Sequence, residues 1–245
     1  VEAAMAHAFA NAAKAPPPRA RIALGLGLAG VHNRAWARQF VEANPGYGAV
    51  VLETDAYTTL LGAHGGAPGA IVAIGTGSVG EAMLTDGARR EVGGWGFPAG
   101  DEAGGAWIGL RAISHLQQCL DGRQPNSAFA QALLNFCGGT RETLFAWLAK
   151  ASQTNFAQLA PIVLEYAPRD ACALALVTEA GRETAKIAQA LDPSGTLPIA
   201  LCGGLGLSLR PYLPAQLLAR VSPPAGDAAA GALLLIRKHL EQNAN

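Results

Sequence analysis

The stretch IVAIGTGSVG, Ile71–Gly80, decides how the rest of the chain is read. Ile71 to Ile74 is a short apolar run of strand character, and Val79-Gly80-Glu81-Ala82-Met83-Leu84 resumes as a second strand after Gly75-Thr76-Gly77-Ser78. A hairpin needs only a residue or two that tolerate positive φ. Two glycines alternating with two hydroxyls offer more, because several backbone N–H groups and two side-chain donors then point off the tip. Such a concavity suits an anion, phosphate above all. An ordinary glycine turn explains the same residues, so the surroundings must decide.

Upstream, RIALGLGLA (Arg21–Ala29) reads as a strand, Asn33 as the cap of a helix with Trp36, Phe40 and Val41 on its apolar face, and AVVLET (Ala49–Thr54) as the next strand. A short helix is expected over Tyr57–Ala63. Downstream of the hairpin, GGWGFPAGDEAGG (Gly93–Gly105) reads as a glycine-dense loop that holds backbone close to something. Helical periodicity then runs from Ala106 to about Ala190, broken at Asp121–Pro125, Gly138–Gly139 and Pro168. The chain returns to a strand in LPIALCGGLG and closes on a helix in GDAAAGALLLIRKHL; VEAAMAHAFANAA, at the start, is read as a helix without the basic flank of a signal peptide. Strands at both ends with helices between predict an α/β protein whose lobes share a cleft.

Composition narrows the partners. Half of the 245 residues are hydrophobic, 15% are charged and the formal net charge is zero. No basic surface calls for nucleic acid and no polybasic run for anionic lipid. The apolar runs are strand-length, well short of the roughly 20 residues needed to cross a bilayer. No membrane partner is therefore expected, and the cytoplasm is the expected location. Cys119, Cys137, Cys172 and Cys202 are scattered without a C-x-x-C pair, which suits reduced core thiols better than disulfides or zinc.

A literal G-x-G-x-x-G occurs at Gly25, Gly27 and Gly30, with Glu53 ending the next strand. It supports a rival reading, an NAD-binding Rossmann oxidoreductase. Against that reading, a dinucleotide fold needs one phosphate turn, and this chain offers three: Gly25–Gly30, Gly75–Ser78 and Gly203–Gly206. Several glycine turns on strands suit a two-lobed ATPase that grips one nucleotide from both sides. Asp55, directly after a strand, can then serve as a base toward a phosphoryl-accepting hydroxyl. A helix N-cap for Ala56–Ala63 explains the same aspartate.

Taken together, TDAYTTLLGAH, GAIVAIGTGSVG, VGGWGFPAGDEAGGAWIG, ALCGGLG and GDAAAGALLL resemble, in order, successive motifs of the bacterial N-acetylglucosamine and glucosamine kinases. These belong to the BadF/BadG-type ATPases of the actin-like, sugar-kinase and Hsp70 superfamily. The resemblance runs from about Ile22 to Arg237. It implies an actin-like (ribonuclease H-like) α/β fold in two lobes: residues 1–65 with 231–245 packing back, and residues 66–230. It implies Asp55 as the catalytic base and Gly75, Thr76, Gly77 and Ser78 against the phosphates of ATP. It also implies Gly94, Trp95, Gly96 and Asp101 around the sugar, Gly203 and Gly204 against the nucleoside, Mg²⁺ as the accompanying ion, and no metal ligand among these residues. The implied reaction is phosphorylation of the 6-hydroxyl of N-acetylglucosamine or glucosamine; a homodimer is the assembly considered, with the oligomeric state left open. An ATPase of the reductase-activating type and a sugar-sensing regulator remain as alternatives. The family's leading strand and Asp-Gly-Gly-Gly-Thr hairpin have no counterpart here, and Val1 aligns with the helix that follows them. The N-terminal lobe is therefore expected to be incomplete. The 245-residue chain alone is expected to be inactive, with activity in a longer parent.

Overall fold

A computed structural model describes residues 1–243. In chain order the elements are α1 (Glu2–Asn11), β1 (Ala23–Gly27), α2 (Arg34–Glu42), β2 (Ala49–Glu53), α3 (Asp55–Ala63), β3 (Gly69–Ile74), β4 (Ser78–Met83) and β5 (Arg89–Gly93). A helical stretch follows: α4 (Gly105–Leu120), α5 (Ala128–Phe136), α6 (Arg141–Leu148), α7 (Gln153–Ala157), α8 (Ala160–Tyr166) and α9 (Ala171–Leu191). The chain ends with β6 (Ile199–Cys202), α10 (Gly206–Leu209), α11 (Ala215–Leu218) and α12 (Ala228–Gln242). Two compact units result, one from residues 1–66 with Gly226 onward and one from Ala67–Ala225. Among the described residues no helix is long and apolar enough to cross a membrane.

In the first unit β1 and β2 pair in parallel, Ala23 opposite Ala49 and Gly27 opposite Glu53, with α3 and α12 against them. Missing side chains make this packing. A Cβ at Gly231 would lie 1.8 Å from the Thr58 carbonyl oxygen, one at Gly62 1.8 Å from that of Asp227, and one at Gly25 2.1 Å from that of Ala232. Backbones at that separation exclude any larger residue. The Asn33 side chain caps α2 as expected, accepting from the Ala35 and Trp36 N–H groups at 3.1 Å each. Its apolar stripe, however, is not core: Trp36 and Val41 are each 37% exposed, and Trp36 packs mainly on Phe40, ring centroids 5.6 Å apart.

The second unit carries the larger core. A four-stranded sheet runs β5-β4-β3-β6, with β3 parallel to β6 and antiparallel to β4. Helices α4, α5, α8 and α9 bury Leu116, Phe129, Leu133, Val163, Val177 and Leu191. Strand β5 has no counterpart in the sequence reading, which starts its glycine-dense loop at Gly93. It is announced by Asp86-Gly87, where Gly87 has φ +82° and the Asp86 carboxylate accepts from the Ala88 N–H at 2.9 Å. The start of β6 is fastened by Asp192, which accepts from the Leu197 N–H at 2.8 Å, from Arg220 Nη2 at 2.6 Å and from the Ser194 hydroxyl. Burial alone would push this carboxyl up; those hydrogen bonds and the guanidinium outweigh it and hold it below its ordinary value.

Candidate functional site

The hairpin of the second unit joins Ile74 to Ser78, which pair across the turn. Neither Gly75 nor Gly77 adopts positive φ, so the turn does not need glycine for its dihedrals. Gly77 is required by proximity: a Cβ there would sit 2.3 Å from Asp101 Oδ2. At Gly75 the same direction is open. The tip is clamped at the start of α4, where the Gly105 N–H donates to the Gly75 carbonyl at 2.8 Å and the Ala106 N–H to the Thr76 carbonyl at 2.9 Å. No side chain caps α4, so these carbonyls satisfy two of its first-turn donors. The Ser78 hydroxyl donates to the Glu102 carbonyl at 2.5 Å. Each such bond contributes about 0.5–1.5 kcal/mol net, enough together to hold the tip rigid. Among the described residues, the N–H groups of Thr76 and Gly77 and the Thr76 hydroxyl have no protein partner. Three free donors on a clamped tip fit an anion.

The loop beside it is equally constrained. Asp101 has φ +61° and Ala103 φ +69°, both unusual for residues with a side chain. Asp101 is only 6% exposed; Gln153 Nε2 donates to its Oδ2 at 2.8 Å, and the Gly104 N–H donates to its carbonyl at 2.9 Å. Gly104 packs on Gly77, where a Cβ would come within 2.8 Å of the Gly77 Cα. Trp95 stands 87% exposed between Gly94 (φ +71°) and Gly96 (φ +86°), an aromatic face offered to solvent.

The third turn follows β6. Gly203 has φ +79° and faces the Ile74 carbonyl so closely that a Cβ would lie 2.4 Å from its oxygen; Leu205 donates its N–H to that oxygen at 2.9 Å. Gly204 faces open space. The sequence-predicted residues Gly75–Ser78, Asp101 and Gly203 are thus brought to one end of this sheet, around the carboxyl ends of the parallel pair β3 and β6, where open α/β sheets place their ligands.

In the first unit, Asp55 is the first residue of α3, just past the carboxyl end of β2, and is exposed. The capping role considered for it belongs to Thr54, whose hydroxyl oxygen accepts from the Tyr57 N–H at 3.0 Å. The Asp55 carboxylate has a single local contact, accepting from the Ala56 N–H at 3.0 Å. The G-x-G-x-x-G segment does not form a dinucleotide turn: Gly25 admits α12, Gly27 admits Thr58 with a Cβ-to-Oγ1 separation of 1.9 Å, and only Gly30 has positive φ. Gly25 and Gly27 are spent on helix packing, which overturns the Rossmann reading. Burial pushes the thiols of Cys137, Cys172 and Cys202 each up to about 11, away from the thiolate form that ligates metal.

The mixed α/β build and the glycine hairpin accord with an ATPase. More narrowly, the chain belongs to the BadF/BadG/BcrA/BcrD ATPase family, which it matches over residues 2–234. A solved Chromobacterium violaceum protein, provisionally named an N-acetylglucosamine kinase, is 52% identical and superposes with a TM-score of 0.90 over 93% of this chain and 80% of its own. The Vibrio cholerae glucosamine kinase GspK is 31% identical over 217 residues, 88% of this chain and 73% of that protein. A Porphyromonas gingivalis structure, provisionally named an N-acetylglucosamine kinase, shares the fold at 17% identity, with a TM-score of 0.64 over 89% of this chain and 75% of its own.

Gln153, Thr54 and the Glu102 carbonyl were not singled out from the sequence. Thr54 was legible as a hydroxyl before a helix. Nothing local connects Gln153 to an aspartate 52 residues away.

Proposed function

We propose that the protein is an ATP-dependent kinase that phosphorylates the 6-hydroxyl of N-acetylglucosamine or glucosamine. One observation carries the reading: Gly77, whose N–H is one of the free donors of the tip, adjoins the Asp101 carboxylate, so an anion site and an acceptor for hydroxyls are neighbours in one unit. The names of the relatives at 52% and 31% identity support it. In this assignment the ATP phosphates take the Thr76 and Gly77 N–H groups and the Thr76 hydroxyl, while Gly75 and Ser78 shape and hold the tip. Gly203 and Gly204 lie against the nucleoside. Asp101 accepts from sugar hydroxyls, and Gly94 and Gly96 set Trp95 against the apolar face of the ring.

Asp55 is assigned as the base. It takes the proton of the 6-hydroxyl as that oxygen bonds to the γ-phosphorus, the bond to the β–γ bridging oxygen breaks, and ADP departs. Mg²⁺, arriving with ATP, neutralises phosphate charge; no residue of this chain is assigned as its ligand. A cytoplasmic setting, where ATP is abundant, accords with such chemistry.

The test is sugar-dependent ADP release by the natural full-length protein across glucosamine, N-acetylglucosamine and non-amino hexoses. Turnover with an amino sugar is expected. Asp101→Ala should raise the sugar KM about 10–100-fold, the worth of hydrogen bonds to a charged group, with the KM for ATP kept. Absence of sugar-dependent release across the panel overturns the reading.

A further inference from the structure

We infer that Gln153 is a positioning residue for the sugar: it engages one oxygen of the Asp101 carboxylate and thereby turns the other to the substrate. This rests on the amino-sugar kinase reading above. The carboxylate is walled on one side by Gly77, where even a methyl group would collide with it, and its Oδ2 receives Gln153 Nε2 at 2.8 Å. Among the described residues no other donor reaches this carboxylate. Rotation about the Cβ–Cγ bond of an aspartate is broad and roughly two-fold. One fixed hydrogen bond selects a single plane and leaves Oδ1 with both lone pairs for hydroxyls. A neutral amide does this without pairing the negative charge, so the charge stays available to the ligand; a lysine or arginine would consume it.

The helix start that carries the amide is itself held. Ser152 and Asn155 form a reciprocal capping box around the start of α7, with Asn155 Oδ1 accepting from the Ser152 N–H at 2.9 Å and from its hydroxyl at 2.8 Å. Phe156, buried in the next position but two, meets Trp147 edge-on at 5.1 Å and Phe97 at 5.5 Å between ring centroids. Gly109 of α4 lets the Phe156 carbonyl approach to where a Cβ would be 1.9 Å away. Helix α4 thus fixes both ends of the arrangement: its first turn grips the phosphate-type hairpin and its second seats the helix that carries Gln153.

The experiment measures steady-state kinetics of the natural full-length protein, Gln153→Ala and Gln153→Glu, with N-acetylglucosamine, whose amide does not titrate, at pH 8 and pH 6. Gln153→Ala should raise the sugar KM about tenfold while kcat and the KM for ATP change less than about twofold. Gln153→Glu sets a second carboxylate against Asp101. At pH 8 the like charges should raise the sugar KM further; at pH 6 the pair can share a proton, the introduced carboxyl donates in place of the amide, and the KM should fall back. A residue that merely supports the fold would raise both KM values together and show no recovery at pH 6. Parallel rises, absence of that recovery, or a Gln153→Ala protein with the unaltered sugar KM would each overturn the positioning role while leaving the kinase reading in place. A wild type with no amino-sugar turnover would remove both.

Discussion

The two compact units both carry glycine on or beside a parallel strand pair, and they use it differently. In the first, Gly25, Gly27, Gly62 and Gly231 all face backbone or a Thr58 side chain at distances no Cβ could occupy, and the result is close packing of α3 and α12 onto β1. In the second, Gly77, Gly104 and Gly203 let three loops touch one another while the Thr76 and Gly77 N–H groups stay free. Glycine density is therefore no measure of ligand binding. What separates a binding loop from a packing contact is whether the backbone donors near the glycine are already satisfied.

The comparison can be broken most severely at Asp55, the base proposed in the unit where Gly25, Gly27, Gly62 and Gly231 serve packing. Asp55→Asn should lower turnover by a factor of about 10² or more, with sugar affinity nearly intact, as for loss of a positioned base. Undiminished kcat in that variant would remove the first unit from the chemistry.

A smaller effect is expected at the hairpin. Thr76→Val keeps the shape of the side chain and deletes one donor, so ATP affinity measured by calorimetry should weaken by about 1.5–3 kcal/mol, with sugar affinity unchanged. Equal losses for both ligands would show that the substitution disturbs the loop cluster itself.

Gly231→Ala sharpens the contrast from the other side. Its added methyl meets the Thr58 carbonyl in a packed interface, and overpacking of that kind costs about 1–3 kcal/mol. Thermal unfolding should shift down while the KM for ATP in the folded fraction holds. A lowered ATP affinity without a stability loss would mean that this glycine serves a ligand after all.

The smallest effect is expected at Gly75→Ala, where φ is ordinary and the space is open. Stability should change by less than about 0.5 kcal/mol, as for a surface substitution away from special features. A drop as large as that of Gly231→Ala would contradict the account of the hairpin given above.

Much of the fold was legible because it depends on neighbours in sequence. The strands β1, β2, β3, β4 and β6, the Asn33 cap, and the helix breaks at Gly138–Gly139 and Pro168 all follow from periodicity and turn chemistry. Two readings failed for the same physical reason. The G-x-G-x-x-G of β1 satisfies the local pattern of a dinucleotide turn, but α12, folded back from the far end of the chain, occupies the space beside it. The apolar stripe of α2 has helical spacing, yet Trp36 and Val41 remain exposed because burial depends on what is packed opposite.

By itself the sequence determined the α/β class, the family signature and the hairpin Gly75–Ser78, since these are written in short-range patterns and in a resemblance spread along the whole chain. Only the tertiary structure decided which donors of that hairpin are free and which are spent. The Ser78 hydroxyl is committed to Glu102, Gly77 exists to admit Asp101, and Gln153 reaches that carboxylate across 52 residues. Hydrogen-bond satisfaction and close approach are properties of pairs of atoms brought together by the fold, so no single segment of the chain can encode them in a form that can be read alone.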